Sequence, residues 1–200
     1  MATEFDAADA ADQALAAARR KAGAALTCQA GCDDCCRRPF AITLQDAERL
    51  RAGLRQQPLA VQAEIAARAA AIWARWRWEF PGSDEGILTE NQEWREWFFA
   101  RGAGTPCPVL EEHTGRCRLY PYRPVACRLY GPLIQIGASR TDPCPKCFPG
   151  WEAHQIEGTL VEARFPLAGA AALPGAETVI AAALTAGEMT PERRGPLHRS

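Results

Sequence analysis

Nine cysteines in a chain of 200 residues fall in three groups, and they are the residues best suited to do chemistry. The groups are Cys28, Cys32, Cys35 and Cys36, then Cys107, Cys117 and Cys127, and finally Cys144 and Cys147. Thiolate is a soft ligand that suits zinc and iron–sulfur clusters, and coordination keeps the sulfur deprotonated. The grouping therefore predicts a metal site for which all nine thiols are candidate ligands.

Metal ligation explains these cysteines better than disulfide pairing does. Nine is an odd number, so a complete disulfide framework would leave one thiol over. The first residues, Met1-Ala-Thr-Glu-Phe-Asp6, are acidic, and no apolar segment of a secretory signal follows them. We therefore expect a cytoplasmic protein, in a compartment where thiols stay reduced.

Two of the groups have a spacing that metal sites use. Cys144 and Cys147 are separated by two residues, so that one chelating turn presents both sulfurs to one metal. A redox-active dithiol has the same spacing, but no strand–helix pattern of the thioredoxin kind surrounds this pair. On a helix, the four side chains of the first group would lie within an arc of about 100°. Gly31 favours a break in such a helix.

The cysteine count leaves the number of sites open. Two closed four-sulfur zinc sites would use eight cysteines, whereas a single [4Fe–4S] cluster would use four. Adjacent Cys35 and Cys36 diverge, so they serve two sites, or one binds while the other packs. His113, between Cys107 and Cys117, is a candidate nitrogen ligand.

Positive side chains lie within a few residues of many of the cysteines. They are Arg37, Arg38, Arg116, Arg118, Arg123, Arg128 and Lys146. Four thiolates around zinc or an oxidised [4Fe–4S] core leave a net charge of about −2, which such cations offset. The pattern favours ligand cysteines, although ordinary solvated arginines would look the same.

Composition argues against nucleic acid and membranes as partners. The chain has 23 basic and 24 acidic residues, so no overall positive field draws it to nucleic acid. No apolar run approaches the roughly 20 residues of a membrane-spanning helix. The segment from Trp73 to Trp78 alternates aromatic and basic residues, as single-strand binders do. Trp73 and Trp76 continue an apolar stripe, however, so core packing is the favoured interpretation.

The segments between the cysteines predict a mostly α single domain with a small β-hairpin, organised around the metal site. Predicted helices cover residues 3–26, 44 to about 57, 58 to about 79, a segment from about 84 or 89 to 100, 151–164 and about 174–187. Thr43 is the predicted N-cap of the second helix, and residues 107–110 and 116–120 form the hairpin. The predicted organisation is an N-terminal helix (1–26), a metal-binding domain (27–150) with a helical insert (43–101), C-terminal helices packing on it (151–187) and a mobile tail (188–200).

One segment has a specific pattern, Tyr120-Pro-Tyr-Arg123-Pro-Val-Ala-Cys127-Arg128. With Cys32-x2-Cys35-Cys36 and Gly115-Arg-Cys117 it resembles the YkgJ-type cysteine-cluster family, described as a zinc- or iron-chelating domain. The resemblance covers residues 28–38 and 107–130 closely and Cys144 more loosely. It implies the ligands Cys32, Cys35, Cys36, Cys107, Cys117 and Cys127, with Tyr120 and Arg123 supporting the site; Arg128, beside Cys127, is a third candidate support. A related flagellin lysine methylase is understood to use a [4Fe–4S] cluster, which favours iron.

The favoured function is an iron- or zinc-binding protein that carries an iron–sulfur cluster, for electron transfer, metal handling or support of a modifying reaction. One alternative is an iron–sulfur-dependent oxidoreductase or protein-modifying enzyme, and another is a zinc-stabilised protein-interaction module. Cys28-x3-Cys32-x2-Cys35 has the spacing of a radical S-adenosylmethionine loop. That chemistry normally needs a βα barrel, and the sequence lacks βα alternation. No catalytic residue, substrate or protein partner is indicated.

Overall fold

The structure, a computed structural model, describes residues 7–165 and 176–185. Its internal contacts divide the chain into two units. The first unit combines Met1–Cys32 with Val125–Pro174, and the second combines Asp33–Pro124 with Gly175–Ser200. The division falls inside the first cysteine group. Cys28 and Cys32 therefore belong to the first unit, whereas Cys35 and Cys36 belong to the second.

Just under half of the described residues are helical, and the strands are two or three residues long. The helices are α1 Ala7–Ala22, α2 Leu44–Arg55, α3 Leu59–Trp76, α4 Gln92–Arg101, α5 Val125–Leu129, α6 Ala153–Glu157 and α7 Ile180–Thr185. The strands are β1 Ile42–Thr43, β2 Leu110–Glu111, β3 Arg116–Cys117, β4 Ile134–Ile136, β5 Ser139–Arg140, β6 Val161–Glu162 and β7 Glu177–Thr178. Short 3-10 helices cover Gly23–Ala25, Asp34–Arg37 and Tyr120–Tyr122.

The first unit is built on the alanine-rich helix α1. Its buried side chains, Ala8, Ala11, Leu15, Ala18 and Ala22, recur at intervals of three or four residues and so form one apolar stripe. Because most of them are small, α5 and β6 pack closely against α1. Strand β4 pairs with β5 in an antiparallel and with β6 in a parallel arrangement.

The second unit packs α2 and α3 against the short apolar helix α7. Helix α2 begins at Leu44 because the Thr43 hydroxyl accepts the Asp46 N–H over 3.0 Å, as an N-cap does. Strand β1, directly before α2, pairs with β7 directly before α7. Strands β2 and β3 form an antiparallel hairpin in which Leu110 faces Cys117.

An aromatic cluster closes the far end of α3 in the second unit. Trp73 meets Phe80 edge-on at 4.9 Å between ring centres, and Trp76 meets Phe98 at 5.4 Å. Edge-to-face pairs of this kind add stability beyond the area they bury. Trp78 is instead exposed. The alternating aromatic and basic segment is therefore mainly a core element.

The prediction of a mostly α fold with a small hairpin is confirmed. The helix predicted over 151–164 is wrong in its second half, because α6 ends at Glu157 and the chain enters β6. Gly158 terminates α6 with its N–H on the His154 carbonyl. Of the helix predicted over 174–187, the described part is β7 and α7, and residues 174, 175, 186 and 187 lie outside the described residues. The predicted tail, 188–200, lies outside them too, and the predicted domain boundaries stay a prediction.

No helix within residues 7–165 and 176–185 is both long and apolar enough to cross a membrane.

Candidate metal centre

Four cysteines of the second unit come from three segments that the backbone joins. Cys35 and Cys36 lie on the 3-10 helix Asp34–Arg37, and the Cys36 carbonyl accepts the Cys107 N–H over 2.6 Å. Three residues later the chain enters the hairpin, whose second strand ends with Cys117. The Arg118 N–H donates to the Val109 carbonyl over 3.0 Å and continues the pairing. The hairpin thus brings residues far apart in sequence into one region of this unit.

The thiols of this group affect one another's protonation. A hydrogen bond with Cys36 raises the pKa of Cys35, and burial and the charge of Cys36 raise it further. Burial raises the pKa of Cys107 to about 12, with smaller contributions from Cys117 and Cys35. Burial also raises the pKa of Cys117, and Cys35 adds to it. Without a metal these three thiols hold their protons, so metal binding must displace protons.

Backbone N–H groups oppose these increases. The N–H of Val109 donates to the Cys107 sulfur and lowers its pKa, and the N–H of Leu119 does the same for Cys117. In both cases the donor lies two residues after the cysteine. A hydrogen bond to the charged form stabilises a thiolate. The local backbone is therefore arranged to hold these sulfurs as ligands.

Arg68 of α3 supports the hairpin, and no sequence signal marked it. Its guanidinium donates to the Leu110 carbonyl over 2.6 Å and to the Cys107 carbonyl over 3.2 Å. Its charge also lowers the pKa of Cys107. Arg68 precedes Cys107 by 39 residues, so only the packing of α3 against the hairpin reveals it. A planar guanidinium can bind two carbonyls at once because its N–H donors have a fixed, forked arrangement.

The predicted supporting residues lie in different units. The Arg123 guanidinium is 4.1 Å from the centre of the Tyr120 ring, and its charge lowers the pKa of Cys117. Both residues belong to the second unit. Arg128 belongs to the first unit, where it is buried and forms an ion pair with Asp12 of α1. Through this ion pair Arg128 links α5 to α1.

Gly131 connects three cysteines of the first unit. Its carbonyl accepts the Cys144 N–H over 3.0 Å. A Cβ built on it would lie 3.2 Å from the Cys28 sulfur and 3.8 Å from the Cys147 sulfur. Its φ of +118° is also a conformation that glycine adopts far more readily than other residues. Glycine therefore fits this position better than a residue with a side chain.

Cys144 and Cys147 form a turn closed by a 2.8 Å hydrogen bond from the Cys147 N–H to the Cys144 carbonyl. Both residues are buried, with 5% and 6% of their surface exposed. Burial raises the pKa of Cys147, while the Thr27 hydroxyl, 3.7 Å from its sulfur, and the backbone of Cys28 lower it. The Cys28 thiol donates to the Tyr130 carbonyl over 3.6 Å. All three side chains pack against the apolar core of this unit.

The other candidate ligands, Cys32, Cys127 and His113, belong to neither of the two sets of cysteines described above. Cys32 follows a turn at Gly31, where φ is +96°, and its N–H donates to the Gln29 carbonyl over 3.0 Å. This turn replaces the continuous helix that would place all four cysteines of the first group on one arc. Cys127 is half-buried on α5. His113 is exposed in the hairpin turn.

Residues 27–147 match the family model "CxxCxxCC: Putative zinc- or iron-chelating domain". The chain belongs to this family. The match spans all nine cysteines and both sets described above, and the YkgJ-type resemblance is consistent with it. No curated protein and no solved structure is significantly similar to the chain. Family membership therefore assigns zinc or iron chelation to this domain and leaves its ligands to be argued from geometry.

The donors of the chelating domain fit a thiophilic metal. Thiols with backbone N–H donors aimed at their sulfurs are present in both units. In the part of the chain that the structure describes, no three His, Cys, Asp or Glu side chains are arranged to hold a metal ion. A cysteine sulfur moves on the order of 3 Å between staggered rotamers, so small side-chain rotations change this arrangement. A bound metal would supply the attraction that draws the sulfurs together.

Proposed function

We propose that Cys35, Cys36, Cys107 and Cys117 hold a [4Fe–4S] cluster and that the chelating domain transfers electrons. Family membership supports zinc or iron chelation in general; the choice of cluster, its ligands and its role are our proposal. The observation that carries it is the backbone pairing that joins these cysteines: the Cys107 N–H donates to the Cys36 carbonyl over 2.6 Å, and the hairpin that follows ends its second strand at Cys117. The influence of Cys35 on the pKa values of Cys107 and Cys117 agrees with this proximity.

The two adjacent cysteines favour a cluster over a single zinc ion. The Cys35 and Cys36 thiols are hydrogen-bonded to each other, but cysteines that share a zinc ion are typically about two to four residues apart in sequence, a spacing that this adjacent pair lacks. In a [4Fe–4S] cluster each of four cysteines binds its own iron, and the sulfurs need not converge on one point.

Charge and exposure support an electron-transfer role. A cluster with four thiolates carries a net charge of about −2 in its oxidised form, which Arg68 and Arg123 near Cys107 and Cys117 offset. The four cysteines are only half-buried. Electrons can therefore reach a cluster held here without an opening of the fold. When bound, the cluster supplies one-electron redox chemistry.

Anaerobic purification tests this proposal. We expect a brown protein that absorbs near 400 nm, contains about four iron and four sulfide ions per chain, and bleaches when dithionite is added. Cys107→Ser and Cys117→Ser should each lose most of the iron and the colour. Cys144→Ser, in the other set, is the matched control and should keep both.

Two results would reject the cluster. One is a colourless protein with stoichiometric zinc and no sulfide. The other is equal loss of iron in Cys107→Ser and Cys144→Ser, because the colour would then report folding in general. Circular dichroism of each variant separates loss of the metal from loss of helix.

A further inference from the structure

We propose that Cys28, Cys144 and Cys147 form a second metal site, which binds zinc and stabilises the first unit. The site uses none of the four thiols assigned to the cluster. Each of the two proposals can therefore fail without the other.

The convergence of these three residues on Gly131 carries the inference. The Cys28 and Cys147 sulfurs lie within about 7 Å of each other, because both are close to the same point beside Gly131. The Cys144 backbone is tied to the Gly131 carbonyl, and the charge of Cys144 affects the pKa of Cys147. Segments more than 100 residues apart in sequence thus meet at one glycine.

The hydrogen bonds around Cys147 fit a ligand rather than a spare core thiol. Its sulfur accepts from the Thr27 hydroxyl and from the backbone of Cys28 and Thr27. A buried thiol needs no such donors, whereas a metal-bound thiolate does. The two-residue spacing and closed turn of Cys144 and Cys147 present both sulfurs on one side, as in zinc knuckles.

Burial favours a single zinc ion here over a second cluster. Cys144 and Cys147 are almost fully buried among Leu26, Leu129 and Phe148, so little room exists for four irons and four sulfides. Zinc is small, forms closed structural sites with thiolates and has no redox chemistry. Three thiolates around zinc leave a net charge of about −1. The Arg19 guanidinium, which donates to the Cys28 carbonyl over 3.1 Å, offsets it.

A fourth donor would complete the tetrahedron. Cys127 of α5 is the nearest remaining cysteine in sequence to Gly131, and it belongs to the same unit. Small rotations of the three thiols are needed to close the site. The Cys28 thiol proton, now donated to the Tyr130 carbonyl, would leave as zinc binds.

Metal analysis of the full chain, purified anaerobically from cells supplied with iron and zinc, tests the site. We expect about one zinc ion per chain beside the iron. The double variant Cys144→Ser/Cys147→Ser should lose the zinc and keep the iron and sulfide. Cys107→Ser/Cys117→Ser should do the reverse, which separates failure of this proposal from failure of the cluster.

Two glycine variants provide a second test in case the double cysteine variant does not fold. Gly131→Ala retains every thiol but places a methyl group against the Cys28 and Cys147 sulfurs. We expect zinc affinity to fall about 10- to 100-fold, as for other disturbed supports of a metal site, measured by competition with a chromophoric chelator. Gly104→Ala is the control, because Gly104 also has a positive φ (+86°) but nothing within 4 Å of the added carbon.

Three outcomes would overturn the proposal. The first is wild-type protein without zinc, the second is full zinc retention in Cys144→Ser/Cys147→Ser, and the third is equal zinc affinity in the two glycine variants. A Cys144–Cys147 disulfide in zinc-free protein would count with the first, since the pair would then be a redox dithiol.

Discussion

The two sets of cysteines differ in what surrounds their sulfur atoms. In the first unit, Cys144 and Cys147 are buried in the apolar core and receive hydrogen bonds from Thr27 and the backbone. In the second unit, the four cysteines are half-buried, Cys107 and Cys117 also pack against an apolar core, and Arg68 and Arg123 act on them. The nearly complete burial of Cys144 and Cys147 is the reason for the proposed structural zinc, and the nearby arginines are one reason for the proposed cluster.

Exposure to an oxidant should produce the largest difference between the two sites. When the anaerobically purified protein meets air, we expect the iron and the absorbance near 400 nm to be lost while the zinc stays bound. Because the four cysteines proposed for the cluster are half-buried, whereas Cys144 and Cys147 are buried, the two rates should differ at least about tenfold if both proposals hold. Metal content after desalting measures both. Loss of both metals at one rate would show that burial does not distinguish the sites.

A glycine of α2 should affect only the proposed cluster site, which lies in the second unit. A Cβ at Gly53 would lie 2.3 Å from Cγ of Tyr122, whose 3-10 helix follows the hairpin. Gly53→Ala should therefore cost about 1–3 kcal/mol through overpacking and weaken iron retention, with zinc unchanged. Urea unfolding of Gly53→Ala, Tyr122→Leu and the double variant gives the free energy of unfolding of each and tests whether the clash with Tyr122 is the cause. If the clash is responsible, the double variant loses less stability than the sum of the single ones, and simple additivity contradicts it.

Loss of Arg68 should have an effect of similar or smaller size, again confined to the proposed cluster site of the second unit. Arg68→Ala removes two hydrogen bonds to the carbonyls of Leu110 and Cys107, which are worth about 1–3 kcal/mol to a charged donor. It also removes a positive charge near Cys107, so a bound cluster should become harder to reduce. Arg75→Ala, an exposed arginine of the same helix, is the control. Equal stability and equal reduction potential in the two variants would remove Arg68 from the site.

Local sequence signals predicted much of this fold. Thr43 was predictable as the start of α2 because an N-cap hydroxyl accepts the N–H of the residue three positions later. This hydrogen bond depends only on residues that are close in sequence. The hairpin around Gly115 was predictable for the same reason. Strands β6 and β7 were missed, since each has two residues and is defined by pairing with a distant strand. Such pairing leaves no local periodicity.

The candidate site was predictable as a list of residues and not as an arrangement. Cysteine type and spacing predicted all nine thiols as candidate ligands, which stays a prediction, and a continuous helix would have placed the four of the first group on one arc. The structure instead assigns Cys28 and Cys35 to different units. Arg68 and Gly131 act through contacts with residues far away in sequence, so no spacing rule reaches them. Residue type indicates the chemistry, whereas packing decides which thiols can share a metal.

The smallest effect should come from a surface carboxylate near the proposed cluster site of the second unit. The Arg118 guanidinium donates to Glu64 over 2.6 Å, and this hydrogen bond lowers the pKa of Glu64 below its usual value. Because the folded pKa is the lower one, the pair stabilises the fold fully above the ordinary glutamate pKa. That contribution is lost as the pH falls through the folded pKa.

Glu64→Gln should therefore be slightly less stable than wild type at neutral pH, with the difference closing in acid. Unfolding of the metal-free proteins between about pH 7 and pH 3 checks the sign, and added salt should shrink the difference because the pair is exposed. Iron and zinc retention should not change, since Arg118 also lies 3.7 Å from Glu111 and keeps an acidic neighbour. A difference that grew in acid would mean that Glu64 is destabilising as a carboxylate. In that case the ion pair between Arg118 and Glu64 would not stabilise the fold.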